Sequence, residues 1–214
     1  MKNKIWALFL LIVVALVISA CSGDEDGTDS STNTDEDSGT STETSNTPQE
    51  IIVRINDDPD FLDPHKATAS ISFQMILNMF EGLMAPETDG SLKPAIAESY
   101  EVSEDGLTYT FKIRQGVKFH NGEDVTIEDV QYTFDRIMGA NGGEKMKNIF
   151  DNVASTESVD NNTFVVTLKE PDSNFLYSVT ALQSAIIPKS NDGKHNENPI
   201  GTGPFVYVKY SPGM

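Results

Sequence analysis

Apolar and polar positions alternate most regularly between Tyr100 and Ile113. Leu107, Tyr109, Phe111 and Ile113 point one way and Thr108, Thr110, Lys112 and Arg114 the other, the period of a half-buried strand. Tyr100 and Val102 supply its partner. Asp105-Gly106 between them predicts a hairpin with a two-residue loop, because such a loop needs backbone with φ > 0. Gly116 and the His120-Asn121-Gly122 turn follow. The period then changes to a helical one, with Ile127, Val130, Phe134 and Ile137 on one face. Thr126 is placed as the cap and Asp129 three residues on, so the helix seals onto the sheet.

Weaker patterns flank this stretch. Ile51–Ile55 predicts a short buried strand, and Asp57-Asp58-Pro59-Asp60 breaks it into a prolyl turn of solvated acids. Leu62-Asp63-Pro64-His65 forms a second turn. Ser70–Glu81 predicts a helix with Ile71, Met75, Ile76, Met79 and Phe80 inward and Gly82 closing it. Leu83–Pro86 and Leu92–Ile96 flank the Asp89-Gly90 turn. After a loop at Ala140–Gly143 the pattern predicts a short helix over Glu144–Phe150, then a hairpin of Val153–Val159 and Thr163–Leu168. A helix over Asn174–Leu182, a strand at Ala185–Pro188, a polar loop at Lys189–Asn198 and a strand at Phe205–Tyr210 complete the series. Antiparallel hairpins with interspersed helices predict an α+β fold.

The beginning of the chain is of a different kind. Lys2 and Lys4 precede an apolar run, Ile5–Ala20, and then Cys21. A positive start, a short apolar stretch and small residues before a cut describe a secretory signal peptide over residues 1–20. A membrane-spanning anchor is the alternative, but the run only approaches the roughly 20 residues that spanning takes. Ile18-Ser19-Ala20-Cys21 resembles a bacterial lipobox, which implies lipidation at Cys21, the one cysteine of the chain. Ser22–Pro48 holds eight acidic residues and no basic or aromatic ones, too little apolar surface to offset the entropy of ordering. Residues 21–48 are therefore expected to be a lipidated cysteine and an acidic tether.

Charge and chemistry exclude more than they identify. The chain of 214 residues carries a net −18, a poor balance for nucleic acid, whose phosphates call for Lys and Arg. His65, His120 and His195 do not form a pair at metal-ligand spacing, so neither a metal nor a cofactor is expected. No Gly-x-Ser-x-Gly elbow and no His-Glu-x-x-His helix is present, and an enzyme is not expected. Gly201-Thr202-Gly203 has the look of an anion-binding glycine turn, for which a lone short glycine motif is weak evidence.

Three segments in order carry a family resemblance: Phe61–Met84, the run DGLTYTFKIRQGVKFHNGEDVTIEDVQYTFDRI from Asp105, and PIGTGPFVYVKY at Pro199–Tyr210. They resemble the bacterial extracellular solute-binding proteins of family 5, the oligopeptide-, dipeptide- and nickel-binding lipoproteins of ABC importers. The resemblance implies a periplasmic-binding-protein-like lobe, type II and cluster C-like, with an inserted antiparallel subdomain. It divides the chain into residues 49–89 as the first part of the lobe, 90–198 as the insertion and 199–214 as the return into the lobe, and implies that Gly201-Thr202-Gly203 is a structural crossing where glycines let two backbones approach. Members are commonly longer, so the chain is expected to be the N-terminal part of a protein with a second lobe.

The same resemblance implies that the backbone of Thr68, Ala69 and Ser70 meets an extended peptide, by the logic of strand addition. Ser70 as a plain helix cap is the alternative, and both can hold. A peptide ligand, a permease of an ABC importer, a membrane reached through the lipid anchor and a monomeric state are implied, at the extracytoplasmic face of the cell membrane. Nickel or heme as cargo, or a surface receptor for signalling peptides without transport, are the other readings.

Overall fold

The computed structural model describes residues 50–140, 145 and 147–212. The signal peptide, Cys21 and the tether lie outside the described residues, as do most of the Ala140–Gly143 loop and Glu144. Backbone contacts divide the chain into Met1–Ile51 and Ile52–Met214, and all the elements named below belong to the second unit.

Its centre is a four-stranded antiparallel sheet in the order β3-β4-β6-β5, made of β3 (Ala97–Val102), β4 (Thr108–Ile113), β5 (Val153–Ser158) and β6 (Thr163–Leu168). Two hairpins, β3-β4 and β5-β6, join through their inner strands, with Phe111 opposite Phe164 and Tyr109 opposite Val166. The alternation of β4 and β6 is what buries Tyr109, Phe111, Ile113, Phe164, Val166 and Leu168 on one face. The connection at Asp105-Gly106 is longer than two residues. The strands stop at Val102 and resume at Thr108, the Ser103 carbonyl accepts from the Gly106 N–H, and Gly106 takes φ 69° at the left-handed position. A separate two-stranded hairpin, β1 (Met84–Pro86) with β2 (Leu92–Pro94), turns over Asp89-Gly90 as the sequence predicts.

Helix α2 (Ile127–Met138) covers the buried face of the sheet. Thr126 and Asp129 form a reciprocal capping box and Gly139 ends the helix in the left-handed conformation. Phe134 stacks on Phe150 with ring centroids 4.4 Å apart and tilts against Phe164 at 4.8 Å. The Asp129 carboxylate has a second task, accepting from the Lys189 N–H at 2.8 Å. One acid thus ties the helix start to a 3₁₀ turn, Lys189–Asn191.

Helix α1 is shorter than its periodicity suggests, Ser70–Ile76, and Leu77 rather than Gly82 caps it. Met79 and Phe80 still turn inward, joining Leu62, Ala67, Ile76, Ala185 and Ile187 in a second apolar cluster. Gly82 instead serves a close approach: a Cβ there would lie 2.4 Å from the Val179 carbonyl oxygen. Asn148–Phe150 is a turn rather than part of a helix, and the region after Asn174 forms only a short α3 (Phe175–Ser178) and a 3₁₀ turn, Leu182–Ser184.

Three predicted strands are absent among the described residues. Ile51–Ile55 and Phe205–Tyr210 have no ladder partner, and Ile51, Ile52, Val53, Phe205, Val206 and Val208 are exposed. Ala185–Pro188 is extended and fully buried but hydrogen-bonds irregularly, Ile186 to the Glu81 carbonyl and Ile187 to the Thr133 hydroxyl. An apolar run specifies burial or exposure of a partner-seeking segment; only a second strand at its edge makes it a strand. Gly201 and Gly203 form the expected close crossing, where a Cβ would lie 2.0 Å from the Met79 oxygen and 2.6 Å from the Asn78 oxygen. Among the described residues no helix is long and apolar enough to cross a membrane.

Candidate functional site

The segment from Asp60 to Ser72 is built around one carboxylate. Asp60 Oδ2 accepts from the Thr68 N–H (2.9 Å), the Thr68 hydroxyl (2.5 Å) and the Ala69 N–H (3.1 Å). Asp60 Oδ1 accepts from the Phe61 N–H (2.8 Å) and the Ser72 hydroxyl (2.5 Å). The Asp60 N–H in turn donates to Ser72 Oγ at 3.0 Å, which closes the ring. Desolvation opposes ionisation here. The Ser72 and Thr68 hydroxyls, with the Phe61 and Thr68 N–H groups, overcome it and hold the Asp60 carboxyl well below the usual carboxylate range.

These contacts place the residues implied to meet a ligand. Thr68 and Ser70 are exposed and Ala69 is half-buried, on the turn that opens α1. Ser70 is the first helical residue and not a cap; Ala69 holds the cap position without a side-chain bond, and the Asp60 carboxylate fastens the turn instead.

Below the loop, Asp63 and His65 are buried, with 2% and 0% of their surface exposed. Arg136 on α2 explains Asp63. Its Nη2 donates to Asp63 Oδ2 at 2.5 Å and its Nη1 to Asp63 Oδ1 at 3.1 Å, a two-pronged pair. Desolvation works against the charged Asp63, yet the hydrogen bond and charge of Arg136 still lower its carboxyl. The same Nη1 donates to His65 Nδ1 at 2.6 Å, while His65 Nε2 faces the Ala185 carbonyl at 2.9 Å. Only a neutral ring with its proton on Nε2 satisfies both contacts. Burial, then the Arg136 charge, pushes His65 down to about 3.

One turn earlier on α2, Tyr132 donates to Asp192 Oδ1 at 2.7 Å and accepts from His195 Nε2 at 3.1 Å. His195 is also buried, which together with the Arg136 charge brings it down to about 4. Leu62 N–H reaches Asn196 Oδ1 at 2.8 Å, and Lys147 Nζ holds the Ala67 carbonyl at 3.1 Å. His120 stitches the glycine crossing, through Nε2 to the Gly203 oxygen at 2.9 Å and Nδ1 from the Gly201 N–H at 3.3 Å. The imidazoles and the Asp60 and Asp63 carboxylates are thus engaged internally. They position backbone. Among the described residues no group of three or more His, Cys, Asp or Glu side chains is arranged to hold a metal ion.

Sequence reasoning placed the exposed loop but missed its supports. Arg136 and Tyr132 lie on the polar face of an amphipathic helix, where a side chain ordinarily meets water. Their spacing of four residues was the available signal, and it does not say what they face.

Comparisons with known proteins agree on the kind of protein. Residues 91–214, more than half of the chain, match the family model described as bacterial extracellular solute-binding proteins, family 5 Middle. The chain is 34% identical over 161 residues to the glutathione-binding protein GsiB of Escherichia coli O1:K1 / APEC, an alignment covering 73% of this chain and 31% of that protein. Among solved structures it is similar to AgaA of A. tumefaciens R10 in complex with agropinic acid, with TM-score 0.67 and 31% identity over 73% of this chain and 33% of that one. The periplasmic binding protein DppA of Helicobacter pylori, in complex with the peptide STSA, gives TM-score 0.64 and 26% identity over 72% of this chain and 36% of that one. The chain spans about a third of the length of the curated relatives it matches. Its fold is the mixed helix-and-sheet arrangement of the type II periplasmic binding proteins, and the chain belongs to the bacterial extracellular solute-binding proteins of family 5.

Proposed function

We propose that this chain is part of the substrate-binding protein of an ABC importer, which captures a peptide outside the cytoplasmic membrane and delivers it to a permease. Membership of family 5 carries the reading, and the likeness to a glutathione-binding protein and to a peptide-bound structure supports a peptide as cargo. The exposed turn Thr68-Ala69-Ser70, held rigid from Asp60 and from Arg136 below, is a suitable surface for an extended backbone. A rigid loop lowers the entropy lost on binding. Residues 49–89 with 199–214 serve as the ligand-side lobe and 90–198 as the insertion. The anchor is a lipid on Cys21 and the working state is a monomer; the activity is binding, without catalysis.

Isothermal titration with trialanine and with glutathione tests the ligand. Saturable heat with either supports the reading, and heat with neither, in a protein that also includes the remaining length of the relatives, overturns it. Labelling with a radioactive fatty acid tests the anchor: Cys21→Ser is expected to lose both label and membrane partition, and retention of both would refute lipidation there.

A further inference from the structure

The hydrogen bonds of the Asp60 ring decide which groups the loop has left to offer. The Thr68 N–H, the Thr68 hydroxyl and the Ala69 N–H are all engaged by Asp60. Among main-chain acceptors, the Ala67 carbonyl is taken by Lys147 and the Ala69 carbonyl by the Phe73 N–H. The Thr68 carbonyl, on an exposed residue, accepts no hydrogen bond from the described residues, and the N–H and hydroxyl of exposed Ser70 donate to none of them. Asp60 itself receives five hydrogen bonds, more than its four lone-pair positions, and has no capacity for a ligand. Its negative charge also lies directly behind the turn, unfavourable to an incoming carboxylate.

We propose that Asp60 is a positioning residue that sets the polarity of recognition at Thr68-Ala69: by consuming their donors it leaves the Thr68 carbonyl as the group this part of the loop offers, which takes an N–H or ammonium group of the ligand, while donation is confined to Ser70. This rests on the loop being ligand-facing. Without Asp60 the same turn would present two N–H groups side by side, a surface for the opposite kind of group.

Backbone-resolved NMR of the protein with trialanine and with trialanine amide tests this. In the unsubstituted protein, peptide is expected to shift the Thr68 carbonyl carbon while exchange of the Thr68 and Ala69 amides stays as slow as before. In Asp60→Asn those two amides are expected to exchange about tenfold faster or more, since hydrogen bonds to a charged group are the stronger kind. In Asp60→Ala the preference for the free acid over the amide is expected to rise, which a merely structural role would not produce. Peptide that slows the Thr68 and Ala69 amides and displaces Asp60 overturns the assignment, as does exchange that is indifferent to Asp60→Asn. The unsubstituted arm decides even if a variant unfolds. Peptide binding with no response anywhere from Asp60 to Ser72, alongside intact Asp60-dependent protection, refutes the ligand-facing reading and the assignment with it, and that pattern is distinct from the other two failures.

Discussion

Arg136 Nη1 donates at once to Asp63 Oδ1 and to His65 Nδ1, so a single guanidinium of helix α2 fixes both polar side chains of the Leu62–His65 turn. The turn carries the Asp60–Ser70 loop, and the helix belongs to the body of the sheet. Arg136 is thus one of the ties, beside Lys147 on the Ala67 carbonyl and Asn196 on the Leu62 N–H, that fix the loop against the rest of the fold.

Arg136→Met should be among the costliest single changes in the chain. It strands a buried carboxylate at Asp63, and breaking a buried pair from one side costs on the order of 3–5 kcal/mol. Urea denaturation reads this. Adding Asp63→Asn to Arg136→Met restores neutrality and should recover part of the loss, and a purely additive pair would mean the two residues do not interact.

Acid should weaken the fold before the carboxylates are reached. His65 is held at about 3 and His195 at about 4, both below an ordinary 6.5. As pH falls through 6.5 an unfolded chain binds protons at these rings and the folded one does not. Their contribution is thus whole above 6.5 and declines as pH falls toward the folded values. Asp63 adds to the loss further down: its carboxyl is depressed from 3.8, so its contribution is present above 3.8 and disappears as pH falls through the folded value. Denaturant midpoints should fall from about pH 7 to about pH 4, and His65→Gln with His195→Gln should flatten the fall. A flat profile in the unsubstituted protein would show that the rings are not held neutral.

Asp129 offers a graded comparison. Thr126→Ala removes the cap alone and should cost about 1 kcal/mol. Asp129→Ala removes the reciprocal half of the box and also orphans the Lys189 N–H, so it should cost more than Thr126→Ala in the same denaturation assay.

Much of the sheet and of α2 could be read from the sequence because two independent signals coincided there. In β4 and β6 a strict alternation agreed with turn residues at both ends, and in α2 helical spacing agreed with Thr126 and Asp129 as caps. Where only apolar content spoke, at Ile51–Ile55, Ala185–Pro188 and Phe205–Tyr210, a strand was predicted and none formed, since a ladder depends on a distant partner that local pattern does not encode. The site was half legible. The exposed turn at Thr68–Ser70 followed from family resemblance, but the Asp60 ring and the Arg136 grip depend on approaches across the fold, and a charged residue in a sequence looks the same whether it meets water or a partner.

Gly201→Ala should be poorly tolerated. The added methyl would fall 2.0 Å from the Met79 carbonyl oxygen, a main-chain atom that cannot swing away. Forced overpacking of this kind costs about 1–3 kcal/mol, occasionally more. A lowered melting temperature is expected, with a smaller loss for Ala at Gly122, where a Cβ meets nothing within 4 Å and only its φ of 87° is strained.

The strand order β3-β4-β6-β5 has a kinetic side. Each hairpin can zip from its own turn, but the seam between them joins residues as far apart in sequence as Thr108 and Thr167. That seam closes only after a long loop has been paid for in entropy, before its contacts give anything back. Helix α2 lies within that very loop, between the two hairpins. A helix formed there before the seam closes shortens the span to be searched, so loss of the capping box at Thr126 is expected to slow the joining of the two halves of the sheet, which refolding rates of Thr126→Ala would read.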